Sequence, residues 1–261
     1  MTAAQAPDSR QPEVRRHYLL NLLQQEGQLS VRACSDALGV SEVTIRNDLA
    51  LLEREGLLQR TWGGAMLRQQ FRPEGAFMAR LQQNRAEKER IAVAAAALVQ
   101  DNDTIFLDAS TTAYFMAQQL KDRHNLTVIT NGMYTALELG PIPAITTIVI
   151  GGQVRGDTGS LVGTLSEDLL QKLHVNKGFF SARGLTLAKG LMESTIVEGQ
   201  LKELVIKHVD QVVAVVDASK LGSMSLTAFC PVRAIQCLIT AGDDAARKAE
   251  PFRPLLDVVI G

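Results

Sequence analysis

Two stretches of the chain gather side chains that could do chemistry. The first, Asp108-Ala109-Ser110-Thr111-Thr112, sets three hydroxyl residues behind a carboxylate and ahead of a helical pattern. Backbone amides at a helix start, joined by the hydroxyls of Ser110, Thr111 and Thr112, make a cradle for an oxyanion such as a phosphate. The same residues suit ordinary helix capping, and this turn alone leaves both readings open. Thr130-Asn131-Gly132, Gly151-Gly152 and Ser181-Ala182-Arg183-Gly184 each follow a short apolar or β-branched run as well. Polar, glycine-bearing turns after successive strands can converge on one small ligand.

The second stretch begins at Ser41. A helix opening there turns by about 100° per residue, so Ile45, Leu49 and Leu52 share one side and Val43, Asn47 and Ala50 the other, flanked by Thr44 and Arg46. That outer face suits the major groove of double-stranded DNA: Asn pairs bidentately with adenine, Arg with guanine or phosphate, and a small apolar group touches a thymine methyl. Ser41 and Thr44, in the first turn, suit phosphate contacts. Asp48 would repel phosphate if it faced outward, so it is expected to hold Arg46 or a neighbouring basic side chain in a local ion pair.

The elements that must position these groups fall into two classes. Residues 14–25 place Leu19, Leu22 and Leu23 on one helical face, and Gly27 is expected to cap that helix in the left-handed conformation. Ser30 is expected to cap a second helix over 31–38, the short Gly39-Val40-Ser41 turn leads to a third over 42–54, and Leu57 to Leu67 reads as a hairpin turning at Gly63-Gly64. The unit is a winged helix-turn-helix. Arg60 and Trp62 lie on its wing, where Trp62 either packs on its own domain or meets DNA. Residues 69–90 are polar and read as a linker that becomes helical towards Ile91.

Beyond it, runs at Thr104–Leu107, Leu126–Thr130, Thr147–Ile150, Gly178–Phe180, Val212–Val216 and Cys237–Thr240 alternate with helical stretches near 111–120, 133–139, 164–173 and 193–208. That alternation predicts an α/β domain with a mostly parallel sheet. The expected division is a flexible tail over 1–12, a DNA-binding domain over 13–68, a linker over 69–90 and a sensing domain over 91–261.

Composition sets the outer bounds. Of 261 residues, 46% are hydrophobic and 21% charged, which excludes disordered and fibrous classes. The net charge of -1 gives no whole-chain sign of a polyanion partner, but residues 1–90 carry 13 basic and 11 acidic side chains against 14 and 17 in the rest. No apolar run approaches the ~20 residues of a membrane span, and the first twelve residues lack a secretory core, so a cytoplasmic protein without membrane contact is expected. Cys34, Cys230 and Cys237 show neither disulfide nor zinc spacing and read as buried or half-buried apolar residues. His17, His124, His174 and His208 show no metal spacing, and neither metal nor cofactor is expected.

The first domain closely resembles the helix-turn-helix of the DeoR family of bacterial transcriptional regulators. The resemblance is carried by Gly27, Leu29-Ser30, Val40-Ser41, Thr44-Ile45-Arg46, Asp48-Leu49, Leu52-Glu53, Gly56 and Arg60-Thr61-Trp62-Gly63-Gly64-Ala65. Asn47 stands where the family commonly has a second arginine, and Trp62 where it has histidine. The second domain resembles the same family through Phe77 to Arg80, Glu87-Lys88 to Ile91-Ala92, Leu107 to Thr112, Val128 to Asn131, Gly151-Gly152, Phe179 to Gly184 and Val216-Asp217-Ala218-Ser219-Lys220. Its likeness extends to ribose-5-phosphate isomerase.

The resemblance implies a DNA-binding regulator, usually a repressor of sugar metabolism genes, acting as a homodimer or homotetramer and controlled by a phosphorylated sugar. It implies DNA contacts from Ser30, Ser41, Val43, Thr44, Arg46, Asn47, Arg60 and Trp62. For the effector, it implies that Ser110, Thr111 and Thr112 hold the phosphate and Asp108 the sugar hydroxyls. Asn131, Gly152, Arg183, Glu198 and Lys220 stand around the same pocket, with Lys220 also readable as a solvated lysine and Lys202 as an i,i+4 partner of Glu198. A sugar-phosphate isomerase with an accessory DNA-binding domain is the alternative, with Asp108 and Glu198 as candidate bases. The stretch Phe179-Phe180-Ser181-Ala182-Arg183 lacks the acidic cluster of such isomerases, which favours sensing over turnover.

Overall fold

A computed structural model describes residues 11–26, 28–54, 58–66, 73–156, 158–163 and 165–261, in two compact units divided between residues 70 and 71. The first unit contains α1 (Pro12–Glu26), β1 (Gln28–Ser30), α2 (Val31–Leu38), α3 (Glu42–Arg54), β2 (Gln59–Thr61) and β3 (Gly64–Met66). Val31, Cys34 and Leu38 of α2 and Ile45, Leu49 and Leu52 of α3 recur at helical spacing, and they meet Leu19, Leu23, Leu29 and Leu58 in one core. Gly39, with φ of +60°, ends α2 in a conformation that costs a glycine nothing.

β1, β3 and β2 form an antiparallel sheet in that order. A Cβ at Gly64 would stand 1.8 Å from the Leu29 carbonyl oxygen, so only glycine lets β3 lie against β1. Two local expectations are corrected. Ser30 precedes α2 without a side-chain capping bond, and the start of α2 is tied instead to the wing, where the Val31 amide donates to the Gly63 carbonyl at 3.0 Å. Asp48 makes no local pair: it is buried and bound by the Arg15 guanidinium of α1, with Nη2 to Oδ1 at 3.2 Å, while Arg46 pairs with Glu42 at 2.6 Å. The expected cap at Gly27 and the two ends of the expected hairpin, Leu57 and Leu67, lie outside the described residues.

The second unit opens with α4 (Pro73–Gln82) and α5 (Arg85–Ala96), then β4 (Thr104–Leu107), α6 (Thr111–Gln119), β5 (Leu126–Thr130), α7 (Met133–Leu139) and β6 (Ile145–Val149). There follow β7 (Gln153–Arg155), β8 (Ser160–Val162), α8 (Glu167–Leu170), β9 (Val175–Phe180), β10 (Gly184–Thr186), β11 (Gly190–Glu193) and α9 (Ile196–Ile206). The unit closes with β12 (Val209–Val215), β13 (Thr227–Cys230), β14 (Cys237–Thr240), α10 (Ala245–Ala249) and β15 (Asp257–Ile260).

Seven strands make one parallel sheet in the order β15-β14-β12-β9-β4-β5-β6. Alternate residues bury on opposite faces: Ile105, Leu107, Val213 and Val215 pack with Ile91, Phe115 and Met116 of the α5 and α6 layer. On the other face, Phe106, Phe180 and Ala214 pack with Leu201 and Val205 of α9 and Phe229 of β13. Strand order reverses at the β4–β9 pair, since β5 and β6 extend the sheet one way and β12, β14 and β15 the other. Such a switch point leaves a crevice at the carboxyl ends of the strands.

The stretch 69–90, expected as a linker, holds α4 and the start of α5 in its described part, and these belong to the sheet unit. The cause is Phe77, which is buried, stacks on Tyr134 at 4.0 Å and meets the edge of Tyr114 at 5.6 Å. The helix expected over 164–173 is only the four residues of α8. Among the described residues no helix is long and apolar enough to cross a membrane. Cys34 and Cys230 are buried and Cys237 half-buried, and burial pushes the Cys230 thiol up to about 12.

Candidate functional site

The crevice at the β4–β9 switch point is a pocket lined by residues from many separate turns. Ala109 to Thr112 follow β4, Asn131 follows β5, Ser181 to Arg183 follow β9, and Asp217 and Lys220 follow β12. Ser160 of β8, Glu193 of β11, and Glu198 and Lys202 of α9 close one side. Arg80, Gln83, Asn84 and Lys88, from the junction of α4 and α5, close another.

Of the two readings the sequence allowed for the turn after β4, the structure shows the capping one. Ser110 caps α6, its Oγ accepting from the Ala113 amide at 3.0 Å, and the helix start so formed faces the pocket. Thr111 and Thr112 are buried at the pocket wall. Asp108, by contrast, is fully buried beneath the pocket and lines none of it. Its carboxylate accepts from the amides of Ser110 at 3.1 Å and Ser181 at 2.8 Å and from Lys202 Nζ at 2.7 Å. It ties the β4 and β9 turns together and is not placed to meet a sugar hydroxyl or to act as a base.

Lys202 corrects a second expectation, because it does not pair with Glu198. Its ammonium donates to Asp108, to Glu193 at 2.6 Å and to the Ser181 carbonyl at 2.7 Å, which uses all three protons. Burial alone would depress its pKa, but the two carboxylates outweigh that and hold it above the usual lysine range. Glu198 accepts from Ser160 Oγ at 3.0 Å and lies 3.2 Å from Arg155.

Two groups are poised for a ligand. Asn131 is buried, its Nδ2 donates to the Leu161 carbonyl at 3.0 Å, and its Oδ1 has no hydrogen-bond partner among the described residues. A buried acceptor left unsatisfied costs about 1–3 kcal/mol, which a donor such as a ligand hydroxyl would recover. Lys88 is also buried and donates to the carbonyls of Arg80 and Gln83. Burial lowers its pKa to about 8; Asp217 opposes the shift, and Lys220, Arg80 and Arg183 add to it. Five cationic side chains, Arg80, Lys88, Arg183, Lys202 and Lys220, thus line the pocket against three carboxylates, Glu193, Glu198 and Asp217, an excess that favours an anion.

Of the expected effector residues, Ser110, Thr111, Thr112, Asn131, Arg183 and Lys220 meet at this pocket. Gly152 does not: it follows β6, at the edge of the sheet, and lies against Leu165 and the Val162 carbonyl. Arg80, Gln83, Asn84, Lys88, Ser160, Glu193 and Asp217 were missed. Asp217-Ala218-Ser219-Lys220 repeats the pattern of a carboxylate and hydroxyl after a strand, and that pattern could have identified Asp217.

On the first unit, Ser41, Val43, Thr44, Arg46 and Asn47 are on the outer side of α3, with Val43, Arg46 and Asn47 exposed. Ser41 Oγ accepts from the Thr44 amide at 3.1 Å and so caps α3. Glu53 of α3 accepts from the Arg60 amide at 2.9 Å and faces its guanidinium at 3.3 Å, which fixes the wing against the helix. Trp62, at the wing tip, is fully exposed. Packing on its own unit is therefore not its role. Ser30 is exposed at the start of α2.

Comparison with known proteins agrees with both units. A family model for the DeoR-like helix-turn-helix domain matches residues 15–71, and one for the DeoR C terminal sensor domain matches residues 83–242. The chain is 40% identical over 238 residues to the HTH-type transcriptional regulator GolR of Listeria innocua, covering 91% of this chain and 93% of that protein. It is 30% identical over 245 residues to the lactose phosphotransferase system repressor of Staphylococcus aureus, covering 92% and 96%. Among solved structures, ribose 5-phosphate isomerase A of Methanocaldococcus jannaschii matches 52% of this chain and 54% of that one, at 17% identity and a TM-score of 0.40.

Proposed function

The chain belongs to the DeoR family of DNA-binding transcriptional regulators, and from that premise we propose that it represses sugar-metabolism genes under the control of a phosphorylated sugar bound at the β4–β9 crevice. The observation that carries this reading is the unsatisfied Asn131 Oδ1 in a pocket that also holds the start of α6 and the side chains of Arg183, Lys220 and Lys88. An anion is drawn to the α6 amides and the cations, and a hydroxyl to Asn131. The name of the staphylococcal relative, lactose phosphotransferase system repressor, supports a sugar as the class of ligand.

The DNA contacts proposed are Ser41 ahead of α3, Val43, Thr44, Arg46 and Asn47 of α3, Ser30 ahead of α2, and Arg60 and Trp62 of the wing. One reading head spans one half-site, so a homodimer or homotetramer on a palindromic or repeated operator is proposed. Asn47 in place of an arginine favours adenine at one operator position. Binding-site selection on the wild type and on Asn47→Arg is expected to return different base preferences, and identical ones would refute that assignment.

A thermal-shift screen of matched phosphorylated and unphosphorylated sugars tests the effector. Ligands that bind only the folded state raise the melting temperature with concentration. Phosphorylated members are expected to do so, and shifts from unphosphorylated sugars alone would refute the phosphate site.

A further inference from the structure

Four residues of the pocket wall, Arg80, Gln83, Asn84 and Lys88, come from the elbow between α4 and α5 and from none of the sheet-end turns. The elbow bends at Asn84, which takes left-handed backbone angles, with φ of +52°, although it carries a side chain. Two clasps hold it. Lys88 reaches back from α5 to the carbonyls of Arg80 and Gln83, at 2.6 Å for the latter, where the last turn of α4 leaves its acceptors without helical partners. Across the pocket, Asn84 Nδ2 donates at 3.0 Å to Asp217 Oδ1, and the same carboxylate oxygen accepts from the Ser219 amide at 3.0 Å. The elbow is thus joined at once to the pocket floor after β12 and to the end of α4. The first described residue of α4 is Pro73, three positions after the boundary between the two units.

We infer that the α4–α5 elbow is the element through which occupancy of the pocket reaches the DNA-binding unit: an anionic ligand draws Arg80, Asn84 and Lys88 onto itself and fixes the end of α4. A ligand shifts an equilibrium only by its difference in affinity for the two states. With the elbow docked, the ligand has those side chains as part of its wall; with the elbow withdrawn it loses them, so binding favours the docked state. A pocket built solely from the turns after β4, β5, β9 and β12 would bind its ligand without any such bias. The inference rests on the proposed reading of this pocket as a phosphorylated-sugar site.

Hydrogen exchange on the full chain tests it, with inorganic phosphate and fructose 6-phosphate as probes against a chloride control. Slower exchange at residues 110–115 reports occupancy of the pocket, and residues 77–90 are expected to slow with them. Slowing at 110–115 with no change at 77–90 would overturn the inference and leave the pocket reading standing. If neither segment responds and neither probe raises the melting temperature, the pocket reading fails and takes the inference with it. Asn84→Gly keeps the left-handed angle and deletes the bridge to Asp217. On the selected operator at saturating probe, this variant is expected to reduce the probe-dependent change in DNA affinity by about threefold or more relative to the wild type. Full coupling in Asn84→Gly, with the probe bound, would count against the elbow.

Discussion

Lys202 and Lys88 are two buried lysines of one pocket whose surroundings push their ionisation in opposite directions. Lys202 stands between Asp108 and Glu193, so Lys202→Met would leave two buried carboxylates without their cation. Breaking a buried pair in this way costs about 3–5 kcal/mol, and a matching fall in stability is expected in urea denaturation of the variant. Lys88 loses its proton near pH 8 in the folded chain, against 10.5 ordinarily, first because it is buried. The unfolded chain therefore binds more protons between these values, and the contribution of Lys88 makes the fold more stable as pH rises through that window. A bound anion acts the other way: it favours the charged lysine, so binding takes up a proton near pH 8. Affinity for inorganic phosphate is expected to fall from pH 7 to pH 9, and titration calorimetry in buffers of different ionisation enthalpy should show proton uptake near pH 8. The sequence placed Asp108 at the right strand end but not at its depth, because periodicity gives the face of a residue and not its distance from solvent. It paired Lys202 with Glu198 four positions away, whereas Asp108, 94 positions away, holds that ammonium.

The strands were the most legible elements. β4, β5 and β14 begin and end where their β-branched runs do, since neighbours on both sides of the sheet require an apolar side chain at nearly every position. The α4–α5 elbow was not legible, because Phe77 and Lys88 are single buried residues in a polar stretch whose exposed face carries pairs such as Arg85 with Glu89 at 2.8 Å. Its contribution to the pocket therefore depends on tertiary contacts that no local pattern records. The hairpin was read correctly, but its turn is Trp62-Gly63 and Gly64 is already the first residue of β3, paired with Thr61, because its place is in the packing of β3 against β1, which is visible only in three dimensions. Gly64→Ala drives a methyl group into the Leu29 carbonyl and is expected to disrupt the wing sheet. Operator affinity measured by fluorescence anisotropy should fall at least about tenfold, while the thermal shift with inorganic phosphate, which belongs to the other unit, persists.

The charge balance of the whole molecule looks different once the chain is divided where the structure divides it. Residues 1–70 carry eight basic and eight acidic side chains and are neutral. The excess over residues 1–90 lies in residues 71–90, with five basic side chains against three acidic, and not in residues 1–70. Affinity for DNA of arbitrary sequence is therefore expected to be weak, with a shallow dependence on salt, because few counterions are released per head. Two separate cores also imply two unfolding events. Calorimetry of the full chain is expected to resolve two transitions, with inorganic phosphate raising one of them alone. Trp62 adds an optical consequence, since it is the sole tryptophan of the chain and is fully exposed at the wing tip. All indole emission of this protein thus arises at one point of the DNA-reading head. Melting of the sensing unit by itself should leave that emission largely unchanged, and the approach of a duplex to the wing should quench or shift it without any added label.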